Sequence, residues 1–98
     1  MSFYLYILRC ADGSYYAGHT DDLERRLAAH RSGETGGYTR SRRPVQLVFC
    51  EELPSREDAF FRERQIKGWS RRKKEALIKR DWDGLKRLSR AHGSTGSP

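Results

Sequence analysis

Five side chains able to move protons or to hold an ion fall at telling places in this chain: Tyr6, Tyr16, Arg26, His30 and Glu63. Tyr6 and Tyr16 belong to two short apolar and aromatic runs separated by Ala11-Asp12-Gly13-Ser14. An Asp-Gly pair supplies positive φ cheaply, so the runs should fold back as an antiparallel hairpin and bring the two phenols together. Arg26 and His30 are four residues apart in a helical stretch whose buried stripe is Leu23 and Leu27, and they project beside that stripe toward the sheet, away from bulk water. Glu63 falls inside the apolar sector marked by Ala59, Phe60 and Ile66. A carboxylate in such a place must find a cation or shift its pKa, and either Arg26 or a bound metal would serve. The structural alternatives are an ion pair with Arg26 or an i,i+4 pair with Lys67. For Arg26 the alternative is a snorkelling side chain, for His30 a packing histidine, and for the tyrosines plain strand aromatics.

Charge narrows the partner. Twenty Lys and Arg against thirteen Asp and Glu give +7, which favours a polyanion, and for a small intracellular protein that is nucleic acid held through its phosphates. No segment pairs a clean apolar face with a basic one, so no membrane partner is expected. Cys10 and Cys50 lack the clustered spacing of a zinc site and read as reduced packing residues, hence a cytoplasmic location. The longest apolar run is far too short to span a bilayer.

With 98 residues there is room for one domain, and a chain of this size buries only about 60–70% of its unfolded surface. A thin core should rest on anchors such as Phe3, Leu5, Leu47, Phe49 and Trp69. Strands are predicted over 3–9, 15–19 and 45–51, the last with Val45, Leu47 and Phe49 on one face. Helices are predicted from Asp21 or Asp22 to Gly33, from Ser55 to about Lys67, and from Ser70 to about Arg80, with a shorter amphipathic segment marked by Trp82, Leu85 and Leu88. The fold class is therefore α+β: a three-stranded antiparallel sheet flanked by three or more helices. It forms one domain over residues 1–91, with a Gly/Ser-rich tail at 92–98 expected to lack fixed structure. Residues 32–44, rich in glycine and arginine, read as a long mobile loop.

Read in order, Leu5-Tyr6, Tyr16-Ala17-Gly18, the stretch from Asp22 through Arg26 to His30, and Glu63-Arg64-Gln65-Ile66-Lys67 resemble the GIY-YIG nuclease family, most closely its small standalone bacterial members, which are related to the UvrC nuclease module. The resemblance covers roughly residues 3 to 80 and implies phosphodiester hydrolysis. It would make Glu63 the anchor of one divalent ion, Mg²⁺ or Mn²⁺. Arg26 would hold the scissile phosphate, Tyr6 and Tyr16 would orient and deprotonate the attacking water, and His30 would assist proton transfer or contact phosphate. There are departures. Tyr4 and Leu5 stand in place of the first motif's glycine and isoleucine, His19 stands where some relatives carry lysine, and the chain has no asparagine to match the late asparagine of others.

DNA, single-stranded or structurally distorted, is the partner this implies, cut with low sequence specificity in repair or processing. Contacts are expected from His19, Tyr38, Arg40, Arg42, Arg43 and Lys67, with the run from Arg71 to Lys74 as a second basic cluster. A non-catalytic nucleic-acid-binding module is the alternative function, and a solvated basic surface the bland reading of each cluster. The oligomeric state stays open between monomer and weak dimer.

Overall fold

The structure is a computed structural model describing residues 2–96, with side chains described as far as residue 89. It divides into two compact units, residues 1–67 and 68–98.

The first unit is built on a sheet of order β2-β1-β3, with β1 at Phe3–Arg9, β2 at Tyr15–Thr20 and β3 at Gln46–Leu53. Both pairings are antiparallel. As the central strand, β1 is covered on both faces, which is why Leu5, Tyr6, Ile7 and Leu8 are buried in succession. The β1–β2 turn forms as its sequence dictates: Gly13 has φ 85°, Cys10 N–H donates to the Ser14 carbonyl at 2.8 Å, and the Asp12 carboxylate accepts from Ser14 N–H at 3.0 Å. One pairing departs from simple alternation. Ile7 faces Phe49 and Leu8 faces Leu47, which leaves Val48 bulged out of the ladder. Phe49 therefore lies on the opposite face from Val45 and Leu47, where strict alternation had put all three together. Cys50 takes the place across from Tyr6, and Tyr6, Leu8, Cys10 and Val45 form a core cluster with Tyr16, Leu23, Leu27, Leu47 and Cys50 packed against it.

Helix α1, Leu23–Ser32, starts where Asp22 accepts a hydrogen bond from Arg25 N–H and stops at Gly33 in the left-handed conformation. The segment read as an open loop holds a further short helix, α2, at Gly37–Arg40. Helix α3, Arg56–Lys67, begins at Ser55, whose hydroxyl accepts from Asp58 N–H at 3.1 Å. It packs on β2 and β1 through the fully buried Ala59 and Ile66. Phe60, expected inside with them, is 40% exposed and Phe61 is 65% exposed.

The second unit holds α4, Arg71–Ile78, and α5, Trp82–Gly96. Ser70 caps α4 by accepting from Lys73 N–H. Within the Arg71 to Lys74 run, Lys73 is buried with its Nζ 4.4 Å from the Trp69 ring centroid, so the run is not a uniformly solvated stripe. The expected structureless tail begins within α5, in a part whose side chains, together with residues 97 and 98, lie outside the described residues.

Candidate functional site

The site is built around β2, an edge strand. Successive side chains of a strand point to opposite faces, so Tyr16 and Gly18 share a face with their partners Leu8 and Tyr6, while His19 shares the other with Leu5. Gly18 sits directly opposite Tyr6, and a Cβ there would lie 2.5 Å from the Tyr6 hydroxyl oxygen. Only a glycine leaves room for this phenol to reach the strand edge.

On the Tyr6 face the phenol and its imidazole partner are buried and neutral. The Tyr6 hydroxyl is 2.9 Å from His30 Nε2, and His30 Nδ1 is 2.8 Å from Thr39 Oγ1 and 3.1 Å from Thr35 Oγ1. His30 is also ringed by aromatics, edge-on to Tyr6 at 5.7 Å and to Tyr16 at 5.4 Å between centroids. Burial, and then the Arg26 charge, hold His30 below its ordinary value, so the imidazole is neutral at pH 7. Burial pushes the Tyr6 phenol well above its ordinary value, Tyr16 and Glu63 add to the effect, and Arg26 opposes it by charge and hydrogen bond. Tyr6 thus keeps its proton in this setting.

On the other face the groups are charged and closer to solvent. Glu63 Oε1 is 2.5 Å from His19 Nδ1 and its Oε2 is 2.8 Å from Lys67 Nζ. Burial alone would raise the Glu63 carboxyl, but hydrogen bonds from Lys67 and His19 outweigh it and hold the group below the usual range. It is an anion at neutral pH. Lys67 connects the two faces, its Nζ 5.4 Å from the Tyr16 ring centroid, and Phe60 closes the His19 side edge-on at 5.8 Å.

The five residues singled out by type and spacing therefore converge. Tyr6 interacts with Tyr16, Arg26, Glu63 and His30 at once. Arg26 differs from expectation in being exposed, although its charge still acts on the Tyr6 phenol because a long stem lets the guanidinium reach in from outside. Glu63 pairs with Lys67, one turn along its own helix, and not with Arg26. His19, read as a nucleic-acid contact, is brought to the Glu63 carboxylate.

The basic loop is only partly available. Arg42 donates to Asp12 at 3.1 Å and to the Tyr38 carbonyl at 2.8 Å while lying 3.9 Å from the Tyr38 ring centroid. Arg43 donates to the carbonyls of Arg40 and Arg31, and Tyr38 stacks on Tyr16 at 6.0 Å. These arginines turn to internal acceptors where a mobile loop was expected; Arg40 remains exposed. Thr39 and Thr35 were missed, because a threonine in a glycine-rich stretch has no periodicity to mark it, and only the fold shows what it touches.

Among the described residues no group of three or more His, Cys, Asp or Glu gathers as a ready-made metal site, and no helix is long and apolar enough to cross a membrane. The donor set that is present, one ionised carboxylate beside tyrosine hydroxyls, fits a hard dication that keeps most of its waters and completes its shell on phosphate.

Fold and cluster together define a small α+β domain with its reactive groups gathered at a hairpin edge. The chain belongs to the GIY-YIG catalytic domain family, whose model matches residues 2–76. It is 48% identical over 75 residues to a UPF0213 protein of Bacillus pumilus, covering 76% of each chain. It is 49% identical over 78 residues to UPF0213 protein BH0048 of Halalkalibacterium halodurans, covering 80% of this chain and 83% of that one. Among solved structures, the solution NMR structure of UPF0213 protein BH0048 from Bacillus halodurans aligns with a TM-score of 0.54 at 48% identity, over 81% of this chain and 84% of that one. The NMR structure of protein EF2693 from E. faecalis aligns with a TM-score of 0.57 at 40% identity, over the same shares. The family is one of nuclease domains.

Proposed function

We propose that this protein is a metal-dependent endonuclease that hydrolyses phosphodiester bonds in single-stranded or structurally distorted DNA with low sequence specificity. The observation that carries the reading is the Tyr6 hydroxyl, 2.9 Å from His30 Nε2 and within electrostatic reach of Arg26, Tyr16 and the ionised Glu63. A binding module would have no need to hold a carboxylate ionised beside a buried phenol and a neutral imidazole.

Glu63 is the residue that would hold Mg²⁺ or Mn²⁺, and the ion when bound would polarise phosphate oxygens and offset charge on the leaving oxygen. The chain's own groups supply the rest. Arg26 is exposed and its charge acts on the Tyr6 phenol, so its fork can take the scissile phosphate and hold it near the phenol. Tyr6 and Tyr16 orient the attacking water and receive its proton, and His30, neutral and aimed at Tyr6, is a base within reach. Lys67 balances Glu63 in the free protein and is free to turn to a phosphate when the carboxylate finds another cation. Arg40 and Tyr38 extend the contact surface, Tyr38 through its exposed ring, which can stack on an unpaired base.

The test is cleavage of labelled single-stranded, duplex and branched DNA with Mg²⁺, Mn²⁺ or EDTA, comparing wild type with Glu63→Ala. Metal-dependent cutting that disappears in the variant supports the reading. Binding without cleavage under every condition would leave the nucleic-acid-binding module in its place.

A further inference from the structure

We infer that Thr39 of α2 is a positioning residue that fixes His30 in the tautomer protonated on Nδ1, so that Nε2 is left as the acceptor of the Tyr6 hydroxyl proton. The argument is one of donors and acceptors. The Arg26 guanidinium, a cation with N–H donors and no acceptor, acts electrostatically on the Tyr6 phenol. A cation on that side favours the hydroxyl oxygen turned toward it and the hydroxyl proton turned away. The acceptor within reach is His30 Nε2 at 2.9 Å. A neutral imidazole with Nε2 accepting carries its proton on Nδ1, and there Thr39 Oγ1 waits at 2.8 Å with Thr35 Oγ1 at 3.1 Å. The opposite tautomer would aim Nε2–H at the hydroxyl oxygen that the Arg26 charge also draws, and would leave the phenol proton without an acceptor among the hydrogen bonds of the described residues. Thr39 makes the shorter of the two contacts and is 1% exposed, whereas Thr35 is an exposed residue for whose hydroxyl water competes, and a buried N–H without an acceptor is costly.

The chemical consequence rests on the nuclease reading. With its proton committed to His30, Tyr6 turns a lone pair toward the reaction side. As water attacks phosphorus, the water proton passes to the Tyr6 oxygen and the proton Tyr6 already carries passes to His30 Nε2. The water oxygen bonds to phosphorus as the ester bond from phosphorus to the leaving sugar oxygen breaks, that oxygen departs as an alkoxide and takes a proton from solvent, Tyr6 ends neutral, and His30 ends as imidazolium with Thr39 accepting from Nδ1. No free phenolate is required, which suits a phenol that burial makes hard to ionise.

The tautomer half is tested without turnover, by the nitrogen chemical shifts and ring couplings of His30 in long-range proton–nitrogen NMR spectra of the full chain. Wild type should show the proton on Nδ1. Thr39→Val, nearly the same shape without the hydroxyl, should lose that single state, and Thr39→Ser should restore it. A wild-type ring protonated on Nε2, or a Thr39→Val spectrum identical to wild type, overturns the assignment. In cleavage assays Thr39→Val should lower kcat roughly 10-fold or more, with KM little changed, and Thr39→Ser should recover most of it. An Nδ1–H tautomer in a protein that cuts no nucleic acid would uphold Thr39 as the positioning residue and reject the nuclease reading alone. A kcat unmoved by Thr39→Val in an active enzyme would reject the relay.

Discussion

The two faces of the β2 edge solve opposite problems. On one, Tyr6, His30 and Thr39 are buried and joined by a chain of neutral hydrogen bonds. On the other, Glu63, His19 and Lys67 keep a carboxylate charged by surrounding it with donors while leaving Lys67 half exposed. A buried neutral chain can hand a proton along but cannot hold an ion, and a charged cluster near solvent can exchange one cation for another but cannot keep a proton on a defined atom. Joining both at a single strand edge gives one site both abilities.

Breaking the charged half should have the largest effect. Glu63→Gln keeps the shape but removes the anion, and should lower cleavage by about 10³-fold or more if the carboxylate anchors a metal that stabilises the transition state by several kcal/mol. DNA binding and the far-ultraviolet circular dichroism spectrum should hardly change, and full activity in this variant would remove Glu63 from the chemistry. Arg26→Ala, which strips the guanidinium from Tyr6 and from the phosphate, should cost roughly 10²-fold in kcat. A loss seen only in affinity would make it a docking contact.

Gly18→Ala attacks the neutral half by sterics alone. Its new Cβ would sit against the Tyr6 hydroxyl, and because that ring is buried and rigid the phenol must shift, breaking its bond to His30. We expect roughly 10-fold slower cleavage and a stability loss of about 1–3 kcal/mol by chemical denaturation. Wild-type values for both would mean the hydroxyl's position is not critical. The loop arginines separate more gently. Arg40→Ala should reduce the salt dependence of single-stranded DNA binding by about one unit of slope with an unchanged melting temperature. Arg42→Ala should lower the melting temperature as well, because Arg42 ties α2 to the hairpin turn. Equal melting temperatures for the two would undo that distinction.

The smallest effect distinguishes the faces by pH. The folded His30 has a lowered pKa, so its contribution to stability is complete above the unfolded value of about 6.5 and is lost as pH falls from there through the folded value. Glu63 is lowered too, but its window begins below the ordinary carboxylate value of about 4.3. The decline in melting temperature between about pH 6.5 and 5 should therefore flatten in His30→Gln and persist in Glu63→Gln. The reverse pattern would assign the titration to the wrong face.

What could be read from the sequence was what neighbours in the chain decide. The Asp12-Gly13 turn, the Asp22, Ser55 and Ser70 caps and the Gly33 stop all act within a few residues, and helical spacing alone brought Arg26 and His30 to one side of α1. The choice of Lys67 over Arg26 as the partner of Glu63 was left open because both satisfy the same charge. The bulge at Val48 was invisible because register is set by the facing strand, and Thr39 because its partner lies nine residues away across a helix end. Phe60 was misplaced for a related reason: the periodicity of α3 fits it as an inward residue, but β2 and β1 are already covered by Ala59 and Ile66.

The bulge at Val48 also decides how one of the two free thiols is presented. Cys10 is almost sealed, and burial pushes its thiol up despite a bond from Ser14. Cys50, moved by the bulge to the rung beside Tyr6, is only half covered. An alkylating reagent should meet Cys50 first, so the protein carries a built-in reporter on the strand flanking its phenol, whose labelling rate measures how often that edge of the sheet breathes open.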